Sequence, residues 1–213
     1  MNYQGLVENV STNIIIPLYA SFSEKASTLE TALHDYCNLL SEGGEWADAK
    51  ILTQTRWKEA MYDWQRLELM LVGPIADDSF KLRDYIYSWP VISPCAVDQD
   101  VMLKLSEGDN YDIATRLTNR RGLAALEYLL FTESLDSRCP PLVRPQGWDA
   151  LSESEKQNAR CAFASVVSVD ISAKAMELVN SWDDTYLEGF VSSNLDSANS
   201  IFGALFYLDL KTK

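Results

Sequence analysis

The chain has 213 residues, 47% of them hydrophobic and 23% charged, and a formal net charge of −13. It is long enough to bury a sizeable core, and its acidic balance argues against nucleic acid as a partner, since phosphate recognition needs a basic face and none is visible. No run is long enough to cross a bilayer: NIIIPLYA and IFGALFYL are the greasiest stretches, and MNYQGLVENV lacks the basic-then-apolar order of a signal peptide.

The pattern is helical nearly throughout. Val7, Val10, Ile14, Leu18, Phe22, Ala26, Leu29, Leu33, Tyr36 and Leu40 recur at spacings of three and four. This predicts one long amphipathic helix, adjusted at Pro17 and stopped by Gly43 and Gly44 in SEGGE. A second helix is expected from about Glu45 to Val72, striped by Trp57, Ala60, Met61, Trp64, Leu67, Glu68 and Leu71 and ended by Gly73-Pro74. Residues 79–88 read as a short helix or turn, and WPVISPC breaks regular structure. AVDQDVMLKLSEG reads as a helix with Asp98 near its start. DNYDIATRLTNRRGLAALEYLLFTE reads as a helix pair, or as one helix interrupted near Asn119 to Gly122. SLDSRCPPLVRPQGWDAL is a crossover loop with three prolines. A long helix follows, opened by a capping box of Ser152 with Glu155, and another starts at about Leu195. Strand-like alternation is nearly absent, so the fold class is all-α, an up-down bundle of long antiparallel helices.

Chemistry-bearing residues are few. The one histidine, His34, makes a His-x-x-Cys pair with Cys37, and two ligands do not make a site. No G-x-S-x-G, H-E-x-x-H, Walker or Rossmann pattern occurs, and a single histidine excludes a di-iron bundle with paired Glu-x-x-His motifs. Cys37, Cys95, Cys139 and Cys161 fit either disulfides in an oxidising compartment or buried free thiols, with three pairings open. Trp57, Trp64 and Trp89, with Tyr62, Tyr85 and Tyr87, read as core filling or as a ligand cage.

The stretch RGLAALEYLLF (121–131) poses the sharpest question, because Glu127 lies four residues after Leu123 and three before Leu130. That spacing puts its carboxylate on or beside the buried face, where an unpaired charge is costly. Arg120, Arg121, Arg56 or Arg66 are candidate partners, and a buried indole N–H is a candidate donor to it. Gly122 costs about 1 kcal/mol against alanine within a helix, so it signals a break or a close backbone approach.

RWKEAMYDWQRLELMLVGPI (56–75), YSWP (87–90), RGLAALEYLLF (121–131) and the opening helix NVSTNIIIPLYASFSEKASTLETAL together resemble the imelysin family, over essentially the whole chain. The resemblance implies an all-α protein built of two bundle halves, periplasmic or lipid-anchored, classed with metallopeptidases and linked to iron uptake. Its Gly-x-His-x-x-Glu signature maps onto Gly122 and Glu127, with Ala124 at the histidine position. The expectation is therefore a bundle at 1–190, resembling the N-terminal half of the family's fold, and a helix at 191–213 leading towards a second half absent from this chain. The expected role is an exported, cell-envelope protein associated with iron acquisition, binding or accessory rather than peptidase, with any signal or lipid anchor outside this chain. A pocket of Glu127, Gly122, Trp57, Trp64, Trp89, Arg120 and Arg121 is expected, with Glu127 as ligand to iron or another divalent metal and iron-uptake proteins as partners. The alternatives are a metallopeptidase with unrecognised ligands and an acidic protein-interaction module.

Overall fold

The computed structural model describes residues 2–211; Met1, Thr212 and Lys213 lie outside, and with them the outer ends of the two expected units. The first predicted helix is continuous but not uniform. It comprises α1 (Tyr3–Val10), a π-helical turn at Ser11–Ile15, and α2 (Ile16–Ser41). The Ile16 N–H donates to the Ser11 carbonyl, one residue further back than in an α-helix. The widened turn stands immediately before Pro17, whose ring lacks an N–H and crowds the carbonyl four residues earlier. Pro17 thus bulges the helix without ending it.

α3 (Ala47–Leu67) carries the tryptophan stripe and closes in a 3-10 turn at Glu68–Met70. α4 (Asp77–Ile86) takes the place of the short helix expected at 79–88, with Asp78, Ser79 and Phe80 at positive φ near its start. α5 (Pro94–Glu107) is capped by the Ser93 side chain, which accepts from the Ala96 N–H. The expected helix at 109–118 does not form. Three short 3-10 turns (108–110, 113–115, 118–120) carry the chain to α6 (Gly122–Phe131). After the proline-rich crossover comes α7 (Glu153–Asn180), with both bonds of the predicted capping box: Ser152 Oγ accepts from the Glu155 N–H at 3.3 Å, and Glu155 Oε2 from the Ser152 N–H at 2.7 Å. A short α8 (Asp184–Ser192), not foreseen, precedes α9 (Leu195–Lys211). No strand occurs among the described residues.

The bundle is organised around α2, which packs most heavily against α3 and α7; α6 lies against both α3 and α7, α5 against α7, and α1 against α8 and α9. Apolar side chains from all these layers merge into one cluster, including Phe22, Leu33, Trp64, Leu126, Phe163 and Ile171. Phe22 meets Trp64 with ring centroids 5.1 Å apart, and Trp57 meets Phe131 edge-on at 5.1 Å.

Two disulfides cross-link the layers and settle the pairing that spacing leaves open. Cys37–Cys161 ties α2 to α7, and Cys95–Cys139 ties the start of α5 to the crossover loop. With sequence separations of 124 and 44, chain-entropy reasoning gives about 5 and about 4 kcal/mol of stabilisation. His34 is exposed and contacts Asn38, so the His34–Cys37 pair holds no common site.

Candidate functional site

The signature stretch begins at a crowded joint. Gly122 has φ +78, and a Cβ there would stand 2.5 Å from Ser88 Oγ, 2.7 Å from the Ile86 carbonyl and 2.9 Å from the Tyr85 carbonyl. Only glycine fits, in shape and in backbone conformation. The joint is closed by hydrogen bonds: Ser88 Oγ donates to the Arg121 carbonyl, and the Ala124 N–H to the Tyr87 carbonyl at 3.3 Å. The glycine of the signature therefore serves the packing of α6 against the end of α4.

Arg121 precedes it and is almost wholly buried. Its guanidinium forms a bidentate pair with Asp170 of α7, Nε at 3.0 Å from Oδ2 and Nη2 against Oδ1. It also donates from Nη1 to the Ile113 carbonyl at 3.1 Å and lies over the Tyr85 ring, 4.2 Å from its centroid. Arg120 pairs with Asp100 of α5 at 2.8 Å, and Arg116 grips the same carboxylate through Nε and Nη2 at 3.0 and 2.7 Å. The Tyr111 hydroxyl donates to Asp100 as well, at 2.8 Å; burial first and then the Asp100 charge push its pKa up. Neither arginine pairs with Glu127. Arg56 and Arg66, the other candidates, pair with Glu59 and Asp63 on their own helix at 2.8 and 3.6 Å.

Glu127 itself is exposed, against the expectation of a buried carboxylate. α6 is apolar on most of its circumference, and Glu127, Tyr128 and Phe131 occupy the one arc that reaches solvent. Ala124 lies on that arc too but is short enough to be covered, at 5% exposure. The buried side chains of Leu123 and Leu130 flank the arc, which is why their spacing from Glu127 misleads. Glu127, Glu68 and Arg83 all act on the Tyr87 hydroxyl. Burial, then Glu68 and Glu127, push the Tyr87 hydroxyl pKa up, while Arg83 opposes them. Arg83 bridges Glu68 at 3.2 Å and Asp84 at 2.8 Å.

The tryptophans separate. Trp57 is buried and its indole N–H donates to the Leu123 carbonyl at 2.9 Å, not to a carboxylate. Trp64 is fully buried in the core against Phe22 and Tyr87. Trp89 is 55% exposed. The seven expected pocket residues thus differ widely in burial, from Trp64 in the core to Trp89 at the surface. Two cavities, one between α4, α7 and α8 and one between α2, α3, α6 and α7, are lined by other residues.

Among the described residues the buried carboxylates are Asp63, Asp98, Asp100 and Asp170 instead. Asp98 accepts from the Tyr128 hydroxyl at 2.9 Å and from the Arg138 N–H at 2.7 Å. Burial raises its pKa above the ordinary 3.8, against the pull of those donors and of Arg160. The sequence does carry a signal for three of these acids: Asp98, Asp100 and Asp170 each sit three residues from a buried valine (Val101, Val97, Val167), and the arginines at 116, 120 and 121 complement two of them.

A metal does not fit the signature residues of this chain. Among the described residues no group of three or more His, Cys, Asp or Glu side chains is placed to hold one. Glu127 belongs to no such group, and the histidine position holds a buried alanine.

A family model described as imelysin matches residues 15–212. No curated protein matches. Among solved structures, an imelysin-like protein from Psychrobacter arcticum 273-4, determined at 2.15 Å, superposes with a TM-score of 0.68 at 15% sequence identity. The match covers 97% of this chain and 59% of that one, so the chain spans about three-fifths of the length of the structure it resembles.

The two signature residues are expected to respond differently to alanine. Gly122→Ala should cost about 2–4 kcal/mol of stability in urea denaturation, from steric conflict at positive φ, whereas Glu127→Ala should stay within about 0.5 kcal/mol as an exposed change. Similar costs for both would contradict a packing role for the glycine and a surface position for the acid. Asp98 gives a second check through pH. A carboxyl whose folded pKa is raised stabilises the fold below its unfolded pKa, and that contribution is lost as pH rises through the folded pKa. The stability of the wild type relative to Asp98→Asn should therefore improve as pH falls from neutrality towards 3.8; a flat or opposite trend in urea melts across pH would refute the assignment.

Proposed function

The chain belongs to the imelysin family, and from that membership and the geometry of α6 we propose an accessory or binding role in the cell envelope, associated with iron acquisition, rather than peptide hydrolysis. One observation carries the reading: at the signature Ala124 is buried, and among the described residues Glu127 belongs to no group of three or more side chains placed to hold a metal. Catalytic zinc is ordinarily held by three protein ligands with a fourth position open for water, and neither the ligand count nor the residue types are met. The disulfides support the location, since such bonds persist in oxidising compartments such as the periplasm. Among the described residues no helix is long and apolar enough to cross a membrane. The link to iron rests on family resemblance, and in this reading it runs through protein contacts rather than a metal bound at Glu127.

Purified protein should hydrolyse peptides no faster than buffer, with or without chelator. Iron(II) and zinc(II) titrations should give the same result for wild type and Glu127→Ala. In the native host, deletion should impair growth under iron limitation, and the Glu127→Ala variant should restore it. Chelator-sensitive proteolysis, or a stable Glu127→Ala protein that fails to complement, would overturn the proposal.

A further inference from the structure

A second place in the molecule holds a charge that the fold does not account for. Arg160 of α7 is 4% exposed. Its Nη1 donates to the Ser134 carbonyl at 3.1 Å and, at 3.5 Å, to that of Thr132, while its guanidinium lies 4.8 Å over the Tyr128 ring. Nε and Nη2 are buried without a hydrogen-bond partner among the described residues. Burying charged donors unsatisfied is costly, and native structures rarely do so without a counter-group. Asp98 is the carboxylate that feels the Arg160 charge, but it lies beyond Tyr128 and is already engaged by the Tyr128 hydroxyl and the Arg138 N–H.

Arg160 forms part of the wall of a cavity of about 50 Å³ between α2, α3, α6 and α7. That exceeds the roughly 10–15 Å³ that one water needs, so a small ion fits. Lys50 is on the same wall, half-buried, and also makes no ion pair among the described residues. In a chain of net charge −13, two unpaired cations on one cavity run against the average composition. Tyr36 completes the polar side: burial pushes its hydroxyl pKa up, and the nearby Arg160 charge pulls against that rise. The rest of the wall mixes Leu33, Leu129 and Leu135 with the polar Thr132, Glu133 and Gln157, and the Cys37–Cys161 bond holds its α2 and α7 sides together.

We propose that this cavity is a binding site for a small carboxylate, held by Arg160 and Lys50 with the Tyr36 hydroxyl. The planar fork of an arginine matches a carboxylate in two parallel hydrogen bonds. Charge balance favours a monoanion, because Glu133 on the rim leaves the lining one positive charge in excess. Leu33, Leu129 and Leu135 offer contacts for the short hydrocarbon end of a carboxylic acid. The assignment does not depend on the accessory role proposed above.

Isothermal titration calorimetry on the intact oxidised protein, at constant ionic strength, tests it with formate, acetate, inorganic phosphate, chloride, and trialanine with a free or an amidated C-terminus. Acetate or formate should bind, and Lys50→Gln should weaken binding by roughly tenfold, the effect of one charge-assisted contact. Arg160→Met should abolish it. Lys50 is half-buried and its substitution leaves the core intact, so that variant decides the matter even where Arg160→Met does not fold. Trialanine binding more tightly than its amide identifies the ligand as a peptide C-terminus, and binding of the free acids alone identifies a small metabolite; both support the site. No carboxylate binding, equal binding in wild type and Lys50→Gln, or equal response to chloride or phosphate would overturn it.

Discussion

The bidentate pair between Arg121 and Asp170 is the constraint on which the arrangement around α6 depends. Both side chains are withdrawn from water, at 1% and 9% residue exposure, so the pair pays a desolvation cost that only good geometry offsets. The geometry is supplied from several directions at once: α7 carries the acid, Tyr85 of α4 stacks on the guanidinium, and the Ile113 carbonyl takes a further N–H. One side chain therefore pins α4, the turn-rich segment 108–121 and the start of α6 to α7. Asp100 does the same for the preceding turns through Arg116, Arg120 and Tyr111. The segment 108–121 has no long helix of its own, and these two buried acids give it a fixed course.

Gly122 follows from that anchoring. Once Arg121 is held against α7, the next residue must pass within contact distance of the Tyr85–Ser88 backbone, at a φ that only glycine adopts freely. The glycine of the family signature is thus explained by packing alone. The acid is not: Glu127 is exposed, near enough to Tyr87 to act on its hydroxyl, and among the described residues it belongs to no group of three or more potential metal ligands. The two ends of one sequence motif play physically different parts, the first in the joint and the second on the surface.

Much of the architecture is legible in the sequence because it rests on local rules. Apolar spacing of three and four marks α2, α3 and α7 over many turns, and the Ser152–Glu155 capping box is a four-residue signal that forms as read. What cannot be read depends on non-local geometry. Helical spacing does not tell which edge of a nearly all-apolar helix reaches solvent, so it puts Glu127 on the wrong side. The run DNYDIATRLTNR has helical periodicity, yet the bonds to Asp100 and Asp170 hold it in 3-10 turns. The disulfide pairing depends on which helices are neighbours, and α2 meeting α7 brings Cys37 to Cys161. Asp98, Asp100 and Asp170 lie at similar apolar spacing to Glu127, and the fold buries them, together with Asp63.

The central claim is that the RGLAALEYLLF stretch is a structural joint locked by Arg121 and Asp170. A double-mutant cycle with Arg121→Met and Asp170→Asn, read by urea denaturation, addresses it most directly. Each single change should cost about 3–5 kcal/mol, because it leaves a buried charge unpaired, and the double mutant should cost far less than the sum of the two. Single costs below about 1 kcal/mol that simply add, as for an exposed pair, would contradict the account.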